Sequence, residues 1–379
     1  MTTSSAVKNG TTHHRGEAMK ATQKLYDAGQ SLWLDNITRD LLTSGTLKRY
    51  IDELSITGLT SNPTIFDHAI KNSSAYDATI RERTKAGKSG EGLFFEIALQ
   101  DLTQAADLFR PIHERTSGVD GWVSLEVSPV LAYDTKTTLA AAQDLHRLAS
   151  RPNLFIKIPG TKEGLPAIEE AIFAGVPVNV TLLFSPEQYL AAAEAYLRGI
   201  ERRIVGGLNP NVGSVASLFV SRWDVAVTGK APAPLTNTLG VAVGRRAYKA
   251  YVGLLGSPRW QRAFNAGARP QRLLFASTGT KDPNASDILY VKGLAAPLTV
   301  NTMPENTLKA FAEHGELGPL IGSDGGDFEP VLAGFTKAGV DLDALAARLQ
   351  EEGAAAFVAS WNELMRVIAS KSASLGQAA

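Results

Sequence analysis

Eight short apolar runs alternate with helical segments through most of this chain, and this alternation restricts the possible folds more than any other feature. Each run is bounded by Gly, Pro or polar residues, as buried strands are, and the segments between them carry apolar residues at three- and four-residue spacing. The predicted strands are 31–35, 56–62, 121–128, 154–160, 177–184, 211–220, 272–278 and 297–304. Strands that alternate with helices form parallel sheets, and eight is the number that closes a (β/α)8 barrel of the TIM type.

The main alternative is an open, doubly wound sheet. Such a sheet commonly carries a glycine-rich dinucleotide loop after its first strand, and the stretch SLWLDNITRD from Ser31 contains no glycine. The sequence therefore favours a single α/β barrel domain over 18–372, with helical insertions near 64–90 and 228–262 whose role the sequence does not indicate.

The two ends of the chain are predicted to lie outside the barrel. Residues 1–17 are polar and lack an apolar centre, which indicates a disordered tail rather than a secretory signal. Residues 373–379 are predicted to be a frayed tail. After the eighth strand the chain is predicted to be helical over 305–314, 341–350 and 354–371.

Composition narrows the class of protein. The 379 residues include 38 acidic and 38 basic side chains, so no net charge favours nucleic acid or an anionic membrane as a partner. The absence of cysteine excludes disulfides, thiolate nucleophiles and Cys-based metal sites, and it fits a reducing compartment. The sequence contains no run of about 18 apolar residues, so no membrane span is predicted. We therefore predict a cytoplasmic protein without nucleic-acid or membrane partners.

One lysine stands in the most apolar of these runs. Lys157 lies within LFIKIPG, which otherwise fits a strand buried on both sides. Burying an unpaired ammonium group is unfavourable, so lysines in such places either extend to water or have a lowered pKa and a neutral, nucleophilic amine. From this run alone, Lys157 is either a strand-end lysine that reaches solvent or a Schiff-base lysine.

Polar residues follow the ends of the other strands, where the active sites of (β/α)8 barrels form. Glu126 alternates with Leu125 and Val127, and Asn179 and Thr181 share one face of the fifth strand. Such residues either bind a ligand or form an internal polar network. The other polar residues of this kind are Asp35, Asn62, Ser217, Arg222 and Ser277. Asp35 could also cap the following helix, and Asn62 before a proline is a common turn residue.

Lys157 and these polar residues together suit one kind of reaction, the cleavage of a C–C bond through an imine. A lysine that attacks a ketone forms a carbinolamine and then an iminium ion, which stabilises a carbanion next to it, as C–C cleavage requires. Glu126 and Thr181 could handle the protons of imine formation, and Asp35 could remove a hydroxyl proton as the bond breaks.

These residues lie in motifs that resemble those of the transaldolase family. The resemblance runs from about Leu32 to Met303, with six motifs in the family's order and spacing. They are LTSNPTIF (59–66), SLEVSP (124–129), LFIKIPGT (154–161), VNVTLLF (178–184), SLFVSRWD (217–224) and LLFAST (273–278). They are most similar to the longer, insertion-bearing branch of that family.

The resemblance implies a cofactor- and metal-independent (β/α)8 enzyme of the non-oxidative pentose phosphate pathway. It would move a dihydroxyacetone unit from sedoheptulose 7-phosphate to glyceraldehyde 3-phosphate, giving erythrose 4-phosphate and fructose 6-phosphate. Lys157 would be the Schiff-base lysine and Asp35 the acid/base at the cleaved C3–C4 bond. Glu126 and Thr181 would hold the water that relays protons.

The resemblance also implies residues that bind the substrate. Those at the dihydroxyacetone end are Asn62 and Asn179, supported by Thr60 and Ser217, and Phe219 is a further substrate-binding residue. Those at the phosphate end are Arg222 and Ser277. One branch of the family has an arginine two residues after this serine, whereas this chain has Gly279. Either Lys281 takes its place or an arginine from elsewhere in the chain does.

Three other functions compete with that of a transferase. A fructose 6-phosphate aldolase shares the fold and the lysine, but that relative has a tyrosine where Phe219 stands and a glutamine where Glu126 stands. A metal-dependent barrel enzyme is disfavoured because none of the six histidines lies in a predicted strand. A non-catalytic sugar-phosphate-binding barrel is the third alternative. Lys292 is predicted to be a solvated lysine at a helix end, and the protein to be a monomer or a homodimer.

Overall fold

The structure of the protein, a computed structural model, describes residues 19–377, and within them eight parallel strands form a closed barrel. The strands are β1 (Ser31–Leu34), β2 (Ile56–Leu59), β3 (Trp122–Glu126), β4 (Leu154–Pro159), β5 (Val178–Leu183), β6 (Ser214–Phe219), β7 (Gln271–Ala276) and β8 (Val300–Met303). Consecutive strands pair with each other, and β8 pairs with β1 to close the ring. The predicted (β/α)8 barrel is confirmed.

Helices connect the strands and cover the outside of the barrel. Within residues 19–377 they are α1 (Ala21–Asp27), α2 (Arg39–Thr43), α3 (Thr46–Leu54), α4 (Pro63–Asn72), α5 (Asp77–Lys85), α6 (Gly90–Arg115), α7 (Thr135–Ala149), α8 (Gly164–Phe173), α9 (Pro186–Val205), α10 (Ser221–Ala226), α11 (Leu239–Leu255), α12 (Pro258–Asn265), α13 (Leu289–Gly293), α14 (Glu305–His314), α15 (Glu329–Lys337) and α16 (Leu342–Gln377). None of them is long and apolar enough to cross a bilayer.

Local chemistry explains where these helices begin. Ser185 precedes α9 and its hydroxyl accepts the backbone N–H of Gln188 at 3.2 Å, while Pro186 occupies the first helical position, where its missing N–H is not needed. Asn62 begins α4 in the same way, with Pro63 after it. The chain therefore leaves β2 at Leu59, three residues before the end of the predicted strand.

The strands separate two apolar cores. One lies mainly between the strands and the surrounding helices, and the other runs from the barrel interior to residues of α10, α11, α15 and α16. Trp122 and Phe155 stack inside the barrel with ring centroids 4.0 Å apart, and Trp33 lies 6.1 Å from Phe155. Because side chains alternate along a strand, the residues two and four positions further along also point inward. This places Lys157 and Glu126 above an aromatic floor.

Gly58 on β2 makes room for that floor. A Cβ atom at this position would lie 2.6 Å from the carbonyl oxygen of Trp122 and 2.7 Å from the indole ring of Trp33. Neither neighbour can move easily, because one is backbone and the other is a fully buried ring. We expect Gly58→Ala to lower the free energy of unfolding by about 1–3 kcal/mol through overpacking, measured by urea denaturation.

Gly253→Ala is the matched control for this substitution. Gly253 lies within α11 and is exposed, and among the described residues a Cβ atom added there would meet nothing within 4 Å beyond its chain neighbours and the local helix backbone. Alanine is there expected to leave stability unchanged or raise it, since it favours helix more than glycine does. Equal stability of the two variants would contradict the packing argument.

The C-terminal part differs from the prediction. Two helices over 341–350 and 354–371 were expected, but α16 is one continuous helix from Leu342 to Gln377, so that prediction is wrong. The helix passes through Gly353, where the absence of a side chain permits close packing rather than a break. It also includes residues 373–377, which were predicted to be part of a frayed tail. The predicted disordered tail, 1–17, and residues 378–379 lie outside the described residues.

The two predicted insertions are helical. Segment 64–90 contains α5 and nearly all of α4, and segment 228–262 contains α11 and the first part of α12. α11 packs against α9 and β7, so it covers the barrel between β6 and β7 in addition to extending the connection. The prediction of a loop and a helix in this connection missed α12.

Candidate active site

A cavity of about 620 Å³ opens at the carboxyl ends of the strands. Ten of the twelve predicted site residues line it, and Glu126 and Asn179 do not. The ten are Asp35, Thr60, Asn62, Lys157, Thr181, Ser217, Phe219, Arg222, Ser277 and Lys281. Residues from several different strand ends and connections thus meet in one place, as expected for a (β/α)8 barrel.

Lys157 lies at the bottom of this cavity and is only 4% exposed. Its Nζ donates to Oε2 of Glu126 at 3.1 Å and to the backbone carbonyl of Ser61 at 3.2 Å. Glu126 and Lys157 are direct neighbours in the pairing of β3 with β4, which fixes their relative position through the backbone. Of the two alternatives for this lysine, the structure contradicts a side chain that extends to solvent.

Two carboxyl groups accompany the amine. Burial raises the pKa of Glu126, although the charge of Lys157 acts in the opposite direction. Burial likewise raises the pKa of Asp35, opposed by Lys157, by the hydroxyl of Thr60 at 2.7 Å and by Lys281. Carboxyl groups with raised pKa values exchange protons more readily near neutral pH, which suits general acid–base catalysis.

Two buried oxygen atoms, one on each of the residues predicted to relay protons, make no hydrogen bond within residues 19–377. They are Oε1 of Glu126 and Oγ1 of Thr181. Buried polar atoms are normally paired, so such atoms indicate a place for a water molecule or a substrate group. Thr181 lines the cavity and lies on β5, which pairs with β4, the strand of Lys157.

Asn179 lies beneath the cavity rather than on its surface. Its Oδ1 accepts from the hydroxyl of Ser217 at 2.7 Å, and its Nδ2 donates to Ser124 Oγ at 3.1 Å. Both ends of the amide are therefore used inside the barrel. The internal polar network left open for this residue is present, and Asn179 orients Ser217, which does line the cavity.

Asn62 and Thr60 follow β2 and line the side of the cavity opposite Ser217. Asn62 Oδ1 accepts the N–H of Ile65 at 3.0 Å, and its Nδ2 makes no hydrogen bond within the described part of the chain. The turn role foreseen for this residue is thus compatible with an amide donor that faces the cavity. Thr60 Oγ1 lies 2.7 Å from both Asp35 Oδ1 and Thr302 Oγ1.

The outer end of the cavity is cationic. Arg222 is half-buried, and burial lowers its pKa, yet the guanidinium makes no ion pair within residues 19–377. Lys281 is exposed and also lacks an acidic partner among these residues. Ser277 lies between β7 and this lysine, with its hydroxyl 2.9 Å from Ser221 Oγ and a positive φ of 55°. Two cations and hydroxyl groups suit a phosphate dianion.

Several residues of the site were not predicted. Ser61, Ser124 and Thr302 hold the predicted residues in place, and the first two lie inside quoted motifs, where their positions were available as a signal. Phe357 of α16 lines the cavity from the last helix, and no pattern in the sequence connects it with the strand ends.

Lys292 lies elsewhere. It is exposed in the last turn of α13, as predicted, and lines a different cavity. No group of three His, Asp or Glu side chains within residues 19–377 is arranged to hold a metal ion.

Comparisons with known proteins agree with this geometry. The model of the family described as "Transaldolase/Fructose-6-phosphate aldolase" matches residues 32–368. A protein of Thermobifida fusca (strain YX) named "Transaldolase" is 45% identical over 357 residues, covering 92% of this chain and 97% of that protein. Proteins of the same name from Saccharopolyspora erythraea and Arthrobacter sp. (strain FB24) are 43% and 44% identical over 353 residues each, covering 91% of this chain and 96% and 95% of theirs.

Proposed function

This chain belongs to the transaldolase/fructose-6-phosphate aldolase family, and we propose that it is a transaldolase that carries a dihydroxyacetone unit on Lys157. The observation that supports this most directly is a buried lysine amine in contact with a buried carboxyl group, in a cavity whose outer end carries two cations without an ion pair among residues 19–377. The amine suits a ketone carbonyl and the cations suit a phosphate, so a ketose phosphate would fit between them.

The first step joins the sugar to the enzyme. The amine of Lys157 attacks the ketone carbon, a C–N bond forms, and the oxygen takes up a proton to give a carbinolamine. Loss of water then leaves an iminium ion. Glu126 and Thr181 each have a buried oxygen without a partner in the described part of the chain, so a water held between them would carry protons in both directions.

The second step breaks a carbon–carbon bond. Asp35 accepts the proton of the C4 hydroxyl as the C3–C4 bond breaks, and the electron pair of that bond moves into the iminium ion to form an enamine. The aldehyde product leaves. The acceptor aldehyde then reacts in the reverse direction, with Asp35 returning the proton to the new hydroxyl, and hydrolysis of the iminium ion releases the product ketose.

The remaining cavity residues orient the substrate. Asn62 offers a dihydroxyacetone hydroxyl its Nδ2 donor, which makes no hydrogen bond within residues 19–377, and Ser217, held by Asn179, offers a hydroxyl from the opposite side of the cavity. Arg222, Ser277 and Lys281 bind the phosphate of the donor and of the acceptor. The substrates would be sedoheptulose 7-phosphate and glyceraldehyde 3-phosphate, and the products erythrose 4-phosphate and fructose 6-phosphate, within the non-oxidative pentose phosphate pathway.

The family description also includes fructose 6-phosphate aldolases, which release dihydroxyacetone to water. Phe219 lines the cavity at the position where the resemblance gives that enzyme a tyrosine. A phenyl ring cannot exchange a proton with water or with the enamine, so this position favours transfer to an acceptor over release. Independence of cofactors and metals, a cytoplasmic location and a monomeric or dimeric state remain predictions.

Borohydride trapping tests the proposal. Incubation with fructose 6-phosphate and borohydride is expected to leave a reduced three-carbon adduct on Lys157, identified by peptide mass mapping. With erythrose 4-phosphate as acceptor, sedoheptulose 7-phosphate should form, and little free dihydroxyacetone should appear. Absence of an adduct on the folded protein would contradict the Schiff base, while rapid release of free dihydroxyacetone would favour the aldolase.

Replacement of Arg222 tests the phosphate end. Arg222→Ala should raise the KM for glyceraldehyde 3-phosphate by about ten- to a hundredfold, since a hydrogen bond to a charged group contributes roughly 1.5–3 kcal/mol. The KM for free D-glyceraldehyde should change much less. Arg245→Ala is the control, because Arg245 lines a separate cavity and is likewise unpaired by an acid within residues 19–377. Equal effects of Arg222→Ala on both acceptors would argue against a phosphate role.

A further inference from the structure

The last helix reaches the active site from a part of the chain that the reaction so far has not used. Gln350 of α16 donates from Nε2 to the carbonyl oxygens of Gly160 at 3.1 Å and Leu182 at 2.9 Å, at the carboxyl ends of β4 and β5. Two turns later Phe357 lines the cavity, and Ser360 bonds to Thr64 of α4 at 2.8 Å. α16 therefore runs past the cavity and is anchored on both sides of it.

Phe357 lies between the two ends of the cavity. Its ring centroid is 5.5 Å from Nζ of Lys157 and 5.9 Å from Cζ of Arg222. The ring of Phe219 approaches the same guanidinium at 5.1 Å, and the two rings are 6.4 Å apart. Arg222 thus contacts two aromatic rings and, within residues 19–377, no carboxylate. Aromatic faces attract a guanidinium group without using its N–H donors, which stay available to an anion.

Gly353 provides the space for this arrangement. It lies four residues before Phe357 and so on the same face of α16. A Cβ atom there would lie 3.2 Å from Nη1 of Arg222 and 3.0 Å from Cδ2 of Leu182. These distances are shorter than ordinary contacts, so a side chain at this position would displace the arginine or move the helix away from it.

We infer that Gly353 and Phe357 position Arg222 for phosphate recognition and thereby determine the preference of the enzyme for phosphorylated substrates. This inference rests on the proposed function, in which Arg222 binds the phosphate. Arg222, which binds the phosphate, lies in the connection after β6, whereas the two residues that orient its guanidinium lie in α16. Both residues are positioning residues, since they act through Arg222.

The readout is the phosphate preference, defined as the kcat/KM for D-glyceraldehyde 3-phosphate divided by that for D-glyceraldehyde. Fructose 6-phosphate is the common donor. Because the donor half-reaction is complete before the acceptor binds, kcat/KM for the acceptor reports on the second half-reaction alone. Any effect of Phe357 on Lys157 itself changes both acceptors equally and cancels in the ratio.

We expect Phe357→Leu to lower the phosphate preference about three- to tenfold, the range for loss of a partly buried cation–π contact. Gly353→Ala should lower it by a similar factor, although alanine favours helix more than glycine does. Phe357→Tyr retains an aromatic ring and should therefore keep the phosphate preference of the parent protein. Gly376→Ala is the matched control within α16, because a Cβ at Gly376 would meet no atom of residues 19–377 within 4 Å beyond its chain neighbours and the local helix backbone. All variants should still form the adduct on Lys157.

Arg222→Ala in the same series separates the two possible failures. If this variant lowers the preference and Phe357→Leu and Gly353→Ala do not, the inference is wrong and the proposed function stands. An equal loss on both acceptors in the helix variants would also overturn the inference, since it would indicate a general structural effect. If Arg222→Ala leaves the preference unchanged, the phosphate role of Arg222 fails and the inference fails with it. In the double variant Arg222→Ala/Phe357→Leu the preference should equal that of Arg222→Ala alone.

Discussion

Replacement of Lys157 by methionine is expected to abolish transfer, lowering turnover by a factor on the order of 10⁴ or more, as loss of a covalent nucleophile does. Methionine keeps an unbranched side chain of similar volume, so the packing above Phe155 is retained. The measurement is transfer from fructose 6-phosphate to erythrose 4-phosphate, together with borohydride trapping, which should give no adduct.

The variant should also show a changed pH dependence of stability. Without Lys157 the carboxyl group of Glu126 loses its cationic neighbour, and burial then raises its pKa further above the ordinary value of 4.5. A folded state with the higher pKa binds more protons than the unfolded state, so stability falls as pH rises above about 4.5. Thermal melting from pH 5 to 8 should therefore show a growing difference from the parent protein.

Lys292→Met is the control for this experiment. Lys292 is exposed on α13, away from the cavity, and its replacement should leave turnover, the adduct and the melting temperature unchanged. The proposed mechanism would be contradicted if Lys157→Met retained transfer close to that of the parent, or if an adduct remained on another lysine.

Asp35→Asn should have the second largest effect. An asparagine cannot accept the C4 hydroxyl proton, so turnover is expected to fall by about 10²–10⁴, the range for loss of general acid–base catalysis. It retains an oxygen that can accept from Thr60, which donates to Asp35 Oδ1 at 2.7 Å in the parent protein, so the local fold should persist. Imine formation does not require this carboxyl group in the proposed mechanism.

Borohydride trapping tests this prediction directly. The parent protein with fructose 6-phosphate should yield a three-carbon adduct on Lys157, whereas Asp35→Asn should yield the uncleaved, phosphorylated six-carbon adduct on the same residue. Asp40→Asn is the control, because Asp40 also lines the cavity but is exposed and accepts from Ser73 at the surface. A three-carbon adduct formed at the parental rate in Asp35→Asn would assign the acid/base role to another group.

Much of the barrel could be predicted because it depends on local pattern. Each strand is a short apolar run between breakers, and each of the eight was found in the predicted order. The predicted ends were less accurate where capping takes residues out of the sheet, as at Asn62, whose side chain begins α4. The split of α16 into two helices was wrong, because the helix continues through Gly353, where the absence of a side chain allows close packing.

The site could be predicted only in part. The rule that active sites form at the carboxyl ends of barrel strands brought together ten of the twelve expected residues. It did not distinguish Thr181, which faces the cavity, from Asn179, whose amide is used by Ser124 and Ser217 below it. That difference depends on depth within the barrel, and strand periodicity specifies the face of a residue and not its height.

The fold class, the buried lysine and the polar residues at the strand ends are visible in the amino-acid sequence, because they follow from side-chain type and from spacing over a few residues. The tertiary structure alone decided that Lys157 contacts Glu126 and that Phe357 and Gly353 contact the arginine after β6. These contacts join segments that are distant in the chain, and only the closure of the barrel and the packing of α16 across its end bring them together.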